Sequence, residues 1–329
     1  MANTDWRNQS SITNFILLGF GNLPELQILL FLIFLVIYIV TMSGNILIVV
    51  LVVADQHLHT PIYFFLANLS CLETCYTSTI LPRMLVSFLT GDRTISFNGC
   101  ITQYYFFAFL ASTECYLLAA MSFDRCLAIC KPLHYAALTN RRSCLWLAAG
   151  SWIRGFLSGI ISTLSICQLI FCGPNEIDHF FCDFVPKMKL TCSDIHLMKV
   201  LAFTLSLIFS LTPFLLTVTS YIYIISTILS IPSTTGRKKA FSTCSSHLIV
   251  VTLFYGTITV VYMFPATHRL KDLSKVFSVF YTVLSPMVNP LIYSLRNKEM
   301  KEAMWKALRK CITFQSSKIL PNWGFFRLK

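Results

Sequence analysis

Adjacent acidic and basic side chains in an otherwise apolar chain, Asp124 and Arg125, are the first place where this sequence can do chemistry. They lie within Met121 to Tyr135, which joins a long apolar run to a basic stretch. Upstream, Thr94 to Phe123 holds a single charge, Glu114. As a helix rising about 1.5 Å per residue, that run is long enough to cross a hydrocarbon layer of about 30 Å. Asp124 and Arg125 therefore sit at a membrane boundary. Sequence neighbours on a helix do not face each other as residues three or four apart do, so either the two clamp one another locally or the arginine reaches a neighbouring helix. The second arrangement is a switch; an anchor snorkelling to lipid headgroups is the plainer alternative.

Two further acids, Glu73 and Glu114, lie inside apolar runs. A carboxylate at membrane depth is costly unless paired, hydrated or protonated, so the two call for a shared explanation. Arg154 falls twelve residues past Arg142, about 18 Å into its helix; it either pairs with one of those glutamates or faces water near the outer leaflet. The Gly155 to Gly159 spacing is a helix-packing signal. Most of the thirteen cysteines fall in apolar runs as small soft fillers. Cys100, Cys172, Cys182 and Cys192 fall in or beside segments on the oxidising side, where four cysteines allow three pairings. His179 to Asp183 has the spacing of a metal site, but a disulfide-bonded sulfur is a poor ligand. Cys71 and Cys75, four apart, read as packing.

The elements that position these groups follow from composition. With 55% hydrophobic and 12% charged residues over 329 positions, the chain is a polytopic membrane protein without room for a separate soluble domain. Seven apolar runs are legible: Leu26 to Val53, Thr60 to Pro82, Thr94 to Phe123, Cys144 to Phe171, Val200 to Ile231, Ala240 to Thr267 and Val276 to Leu295. Backbone groups in hydrocarbon must be satisfied within their own segment, so these are helices packed as one bundle, an all-α membrane protein of seven transmembrane helices. Pro213, Pro286 and Pro290 mark candidate hinges.

Loops assigned alternately give the C-terminal face sixteen Lys and Arg, against nine on the other. That excess makes the C-terminal face cytoplasmic and the N-terminus extracellular. The net charge of +12 then reflects contact with an acidic inner leaflet, not nucleic acid. Residues 1–25 form a polar extracellular leader with a glycosylation sequon at Asn8, 26–297 the transmembrane domain, and 298–329 a cytoplasmic region. The first run is too long for a cleaved signal and reads as a retained anchor. From Lys298 to Ile312, apolar residues Met300, Met304, Ala307, Leu308 and Cys311 recur on one side, a short amphipathic helix along the inner interface. Cys311 is a candidate for palmitoylation.

Read as a whole, Met121 to Tyr135 resembles the end of the third transmembrane helix of rhodopsin-like G-protein-coupled receptors. Its continuation, Cys130-Lys131-Pro132-Leu133-His134-Tyr135, resembles odorant receptors in particular, with Phe123 and Cys126 where tyrosines are usual. Gly44-Asn45, Leu58 to Leu66, Ser220-Tyr221, Lys239 to Cys244 and Pro286 to Tyr293 extend the resemblance through the other helices, in order.

The resemblance implies bridges Cys100 to Cys182 and Cys172 to Cys192, folding the second extracellular loop over the bundle mouth. It places Glu73 and Glu114 where a sodium ion is held, with Asn289 nearby; no other cofactor is expected. Counted in helical turns from matched positions, an apolar cavity is lined by Phe107, Ala108, Ala111 and Ser112 on the third helix and Ser206 and Phe209 on the fifth. Ile258, Thr259 and Tyr262 on the sixth and Val279 and Thr282 on the seventh complete it. Few hydroxyls and no charge suit a small uncharged volatile rather than an amine. A ten-atom ligand gaining roughly 0.7 kcal/mol per atom binds at about −7 kcal/mol, near 10 µM.

Ligand burial is expected to swing the sixth helix outward, freeing Arg125 of the Asp124-Arg125 pair to meet a stimulatory-type heterotrimeric G protein beside Tyr221, Asn289, Pro290 and Tyr293. Lys239 stands at the rim of that opening. The implied output is cyclic AMP at the plasma membrane. A non-olfactory receptor of the same superfamily for a small hydrophobic ligand is the alternative. A transporter would show polar lining and paired halves. An enzyme would need His247 near Cys115 or Ser112. The residues favour neither.

Overall fold

A computed structural model describes residues 13–21, 24–169, 171, 175–183, 196–263 and 271–319. Seven long helices form the body: α1 (Gln27–Ala54), α2 (Pro61–Thr90), α3 (Phe97–Cys130), α4 (Arg141–Cys167), α5 (His196–Ser230), α6 (Thr234–Met263) and α7 (residues 271–296). An eighth, α8 (Lys298–Ile319), follows at the C-terminal side. Six of the long helices are apolar enough to cross a membrane on composition alone, counted over the described residues. The exception, α2, turns its polar side chains inward: Ser70, Glu73 and Thr77 are buried.

Helix ends follow their chemistry. Asn140 caps α4 by accepting the Ser143 N–H at 2.9 Å, and Ser96 caps α3 by accepting the Gly99 N–H at 3.1 Å. Gly91 closes α2 at φ +72°, a left-handed backbone that favours glycine. Pro82 and Pro213 are accommodated inside helices. In α7 the path changes: an α-helical start, Lys271–Val279, gives way to one π-helical turn, Phe280–Leu284, before Ser285–Arg296 resumes with Pro286 in its first turn and Pro290 inside. α7 therefore combines a π turn with two prolines, both recognised causes of helix bending.

Two boundaries differ from the apolar runs. Thr94–Ser96 is a strand, not helix, and α3 continues seven residues past Phe123, carrying Asp124 and Arg125 on its last turns. The polar leader also contains structure that composition hides. Asn14–Leu17 is strand β1, antiparallel to β2 (Thr94–Ser96) and parallel to β3 (Glu176–Ile177). Phe15 is fully buried, against Cys100, Ile177 and Cys182.

On the opposite face, α8 lies against the ends of α1 and α2. Met300 and Ala303 are buried and Met304 and Ala307 half-buried, while Leu308 is exposed, so the apolar side is narrower than the sequence stripe. Lys306 pairs with Asp55 at 3.2 Å, and the Tyr63 hydroxyl donates to Glu299 Oε2 at 2.8 Å. Cys311's side chain lies outside the described residues.

Candidate functional site

The C-terminal end of α3 resolves the Asp124–Arg125 question in favour of the local clamp. Arg125 donates to Asp124 Oδ2 from Nε at 3.0 Å and from Nη2 at 2.5 Å, and the Tyr135 hydroxyl donates to Asp124 Oδ1 at 2.8 Å. Asp124 is 1% exposed. A buried carboxylate needs compensation, and here a guanidinium and a phenol supply it, so neither partner can leave without cost. Nearby, the Tyr221 hydroxyl and His247 Nδ1 share a hydrogen bond of 2.7 Å with their rings stacked 6.0 Å apart, linking α5 to α6. His247, weighed in the sequence only as a poor enzyme base, is thus part of the inner cluster. Tyr293 is also buried, and Lys239 is exposed at the start of α6.

Halfway along the bundle, Asn289 donates to Glu73, joining α7 to α2. Asn45 donates to the Thr41 carbonyl at 3.0 Å and the Pro286 carbonyl at 3.1 Å, holding α1 to α7 just past its π turn. Glu73 and Glu114 are fully buried and close enough to interact electrostatically. Both carboxyl oxygens of Glu114, and Oε2 of Glu73, have no hydrogen-bond partner among the described residues, and Ser112 Oγ is likewise unpartnered. Such orphaned oxygens fit a small hard cation, which oxygen ligands hold. Arg154 pairs with neither glutamate: it is exposed, with its guanidinium 5.3 Å from the Tyr116 ring centroid.

Toward the N-terminal end of α3, Phe107 is buried between Phe181 (centroids 4.8 Å), Tyr76 (5.8 Å) and Tyr281 (6.2 Å). Ala108 beside it, and Ala111 and Ser112 about one turn further along α3, are half-buried. Below them the Tyr255 hydroxyl donates to the Cys115 carbonyl at 3.0 Å, tying α6 to α3. Thr282 is fully buried and donates to the Ser278 carbonyl at 2.6 Å; Val279, Ile258 and Phe209 are half-buried, and Thr259 is exposed. The side chains of Ser206 and Tyr262 lie outside the described residues, as do Asn8, Cys172 and Cys192. Among the described residues a cleft lies to one side, between Leu18 and Phe20 of the N-terminal segment, Leu30, Met84 and Phe180.

A lid covers this end. Cys100 and Cys182 form a disulfide, and the Cys182 N–H donates to Gln103 Oε1 at 3.0 Å. Phe180 stacks on Phe20 at 5.3 Å, and Phe20 reaches Phe34 and Phe88, so an aromatic chain runs from the N-terminal segment through the lid to Phe107. His179 is wedged between Phe180 and Phe181 and shares a 3.2 Å hydrogen bond with Ser278; Lys275 pairs with Asp178 beside it.

Burial, with Lys275 adding to it and Asp178 opposing, depresses the His179 imidazole to about 3. Unfolded histidine titrates near 6.5, so below that pH the unfolded chain takes a proton that the folded lid refuses. Stability is therefore lost as pH falls from about 6.5 toward 3, by about 2 kcal/mol at pH 5. Between pH 7.5 and 5 the melting temperature of purified protein should drop further in the wild type than in His179→Asn. Equal drops would remove His179 from the lid's proton balance.

Against this geometry, a family model described as "Olfactory receptor" matches residues 34–311. Among curated proteins, human olfactory receptor 11L1 is 51% identical over 95% of this chain and 98% of its own length. Human olfactory receptor 10A7 is 50% identical over 92% and 95%, and mouse olfactory receptor 5P76 is 50% identical over 94% and 99%.

Proposed function

The chain belongs to the olfactory receptor family, and from that premise we propose that it detects small uncharged odorants between α3, α5, α6 and α7 and signals through a stimulatory-type heterotrimeric G protein. The observation that carries this reading is the latch on Arg125, held by a buried Asp124 that also receives Tyr135. That latch ends the same helix whose outer half presents Phe107 to the lid. Odorant contact with Phe107, Ala108, Ala111 and Ser112 biases one rigid rod, and the state it favours releases Arg125 toward the G protein. Tyr221, Tyr293 and Lys239 border that opening, while Asn289 and Pro290 set the bend that lets α7 follow. The N-terminus with Asn8 faces outside and α8 lies inside.

Arg125→Ala should reduce odorant-evoked cyclic AMP at least tenfold, the scale of one lost charge-assisted contact of about 1.5–3 kcal/mol. Surface labelling of an N-terminal tag keeps expression separate from coupling. An undiminished response at equal surface density removes the arginine from the output.

Glu73, Glu114 and Asn289 would hold a sodium ion, whose charge would offset the buried carboxylates and favour the resting bundle. With a dissociation constant roughly ten times below the salt concentration, sodium in place of a large organic cation should stabilise the protein by about 1.4 kcal/mol. Glu114→Gln should erase that difference. Equal melting curves of the wild type in the two salts would remove the ion from this reading.

A further inference from the structure

We propose that Cys126 and Cys130, at the cytoplasmic end of α3, form a dithiolate site for a thiophilic divalent cation of the zinc class. Both are free and half-buried, one helical turn apart, and the Cys126 thiol donates to Cys130 Sγ across 3.8 Å. A third group is already in place: the Thr227 hydroxyl of α5 donates to Cys130 Sγ at 3.1 Å.

The sulfur separation decides between two thiol chemistries. A disulfide needs sulfurs about 2.04 Å apart and Cβ atoms about 3.5–4.5 Å apart, whereas residues four apart on a helix hold their Cβ atoms about 5–6 Å apart. Closing that bond would unwind the turn next to Arg125. A tetrahedral ion bound at about 2.3 Å to each sulfur spans about 3.8 Å between them, with no change in backbone. The observed 3.8 Å is already that bite.

On binding, each thiol gives its proton to solvent and the ion takes two thiolates, a locally neutral unit with its remaining positions open to water. Thr227 then donates to a thiolate, a stronger acceptor than a thiol, and so supports the ligand from the next helix. The reducing cytoplasm keeps both sulfurs available. Occupancy staples the turn that follows Arg125. Because Cys126 stands where the family pattern has tyrosine, the site is a property of this chain.

Cobalt tests this on the purified full chain with its extracellular disulfide intact, since cobalt bound to thiolate gives a sulfur-to-metal charge-transfer absorption. One equivalent of that band should form, be displaced by zinc, and be absent in Cys126→Ser and in Cys126→Tyr, the latter supplying the usual side chain and guarding against misfolding. The band should persist in Cys71→Ser with Cys75→Ser, which removes the other cysteine pair of that spacing. Zinc should also slow maleimide labelling of Cys126 at least tenfold. No band in the wild type, an equal band in Cys126→Tyr, or loss of the band with Cys71 and Cys75 would each overturn the assignment.

Discussion

Gly155→Ala is expected to cost the folded protein about 3 kcal/mol and most of its surface expression, although alanine is the better helix former. A Cβ at Gly155 would lie 1.9 Å from Thr113 Oγ1, 2.8 Å from the Phe109 carbonyl oxygen and 2.9 Å from the Thr113 nitrogen. Two of those three atoms are backbone and cannot rotate away, so α4 must lift off α3. The helix-propensity gain of about 1 kcal/mol is too small to offset that separation. Gly159→Ala should still be destabilising but milder, because its tightest contact, the Phe109 Cβ, is at 2.9 Å rather than 1.9 Å and the nearest backbone atom is at 3.2 Å. Gly150→Ala, with nothing within 4 Å of the new carbon, should be neutral or slightly stabilising. Adding Thr113→Ala to Gly155→Ala should restore part of the loss, since the carbonyl contact at 2.8 Å remains. Melting of purified protein and surface labelling of a tagged receptor measure the series. If Gly155→Ala melts with Gly150→Ala, close approach is not what selects glycine there.

That contact also shows what could be read from residues alone. The Gly155 to Gly159 spacing signalled close helix packing but not its partner, and it is α3 of the same chain that fills it. The seven rods were legible because each is a long run that must satisfy its own backbone in lipid. Their ends were not, because a helix does not stop where its composition turns polar: α3 carries Asp124 and Arg125 on its last turns before ending at Cys130. Strand β1 escaped notice because four residues in a polar leader have no signal beyond Phe15 and Leu17, and only pairing with β2 and β3 fixes them. Asp124, Arg125, Tyr221, Asn289 and Tyr293 could be named from sequence patterns alone, without their contacts. His247, Gln103 and the Phe20 to Phe181 chain could not, since their partners are distant in sequence and close only in the folded bundle. Arg154 could have faced either way; its helix turns it outward, over Tyr116.

Breaking the Cys100–Cys182 bridge should be the other severe lesion, and the reason lies in how much of the lid hangs on it. The bridge joins residues separated by 82 positions. For a free chain that closure is worth about 4.5 kcal/mol; with α3 and α4, which make up most of the closed loop, already inserted in the bilayer, fewer conformations are removed, and about 2–4 kcal/mol is expected. Both sulfurs are fully buried in the small outer core with Phe15, Leu17 and Ile177, so the loss spreads to all three strands. The Cys182 N–H would also leave Gln103, whose Nε2 donates to the Thr79 carbonyl at 3.1 Å and so ties the lid to α2. Cys182→Ser should therefore lower the melting temperature by about 5–15 °C and abolish the odorant response, because Phe181 no longer stays against Phe107. Gln103→Ala removes both of these hydrogen bonds, worth about 1 kcal/mol each, but leaves the covalent bridge, and should keep a measurable response. The double change Cys100→Ser with Cys182→Ser should melt as low as the single one, while avoiding the thiol that Cys100 leaves free to mispair. A non-reducing gel then separates lost cross-linking from scrambling. Should Cys182→Ser melt within a degree or two of the wild type, the sheet and the aromatic chain would be holding the lid without the bridge.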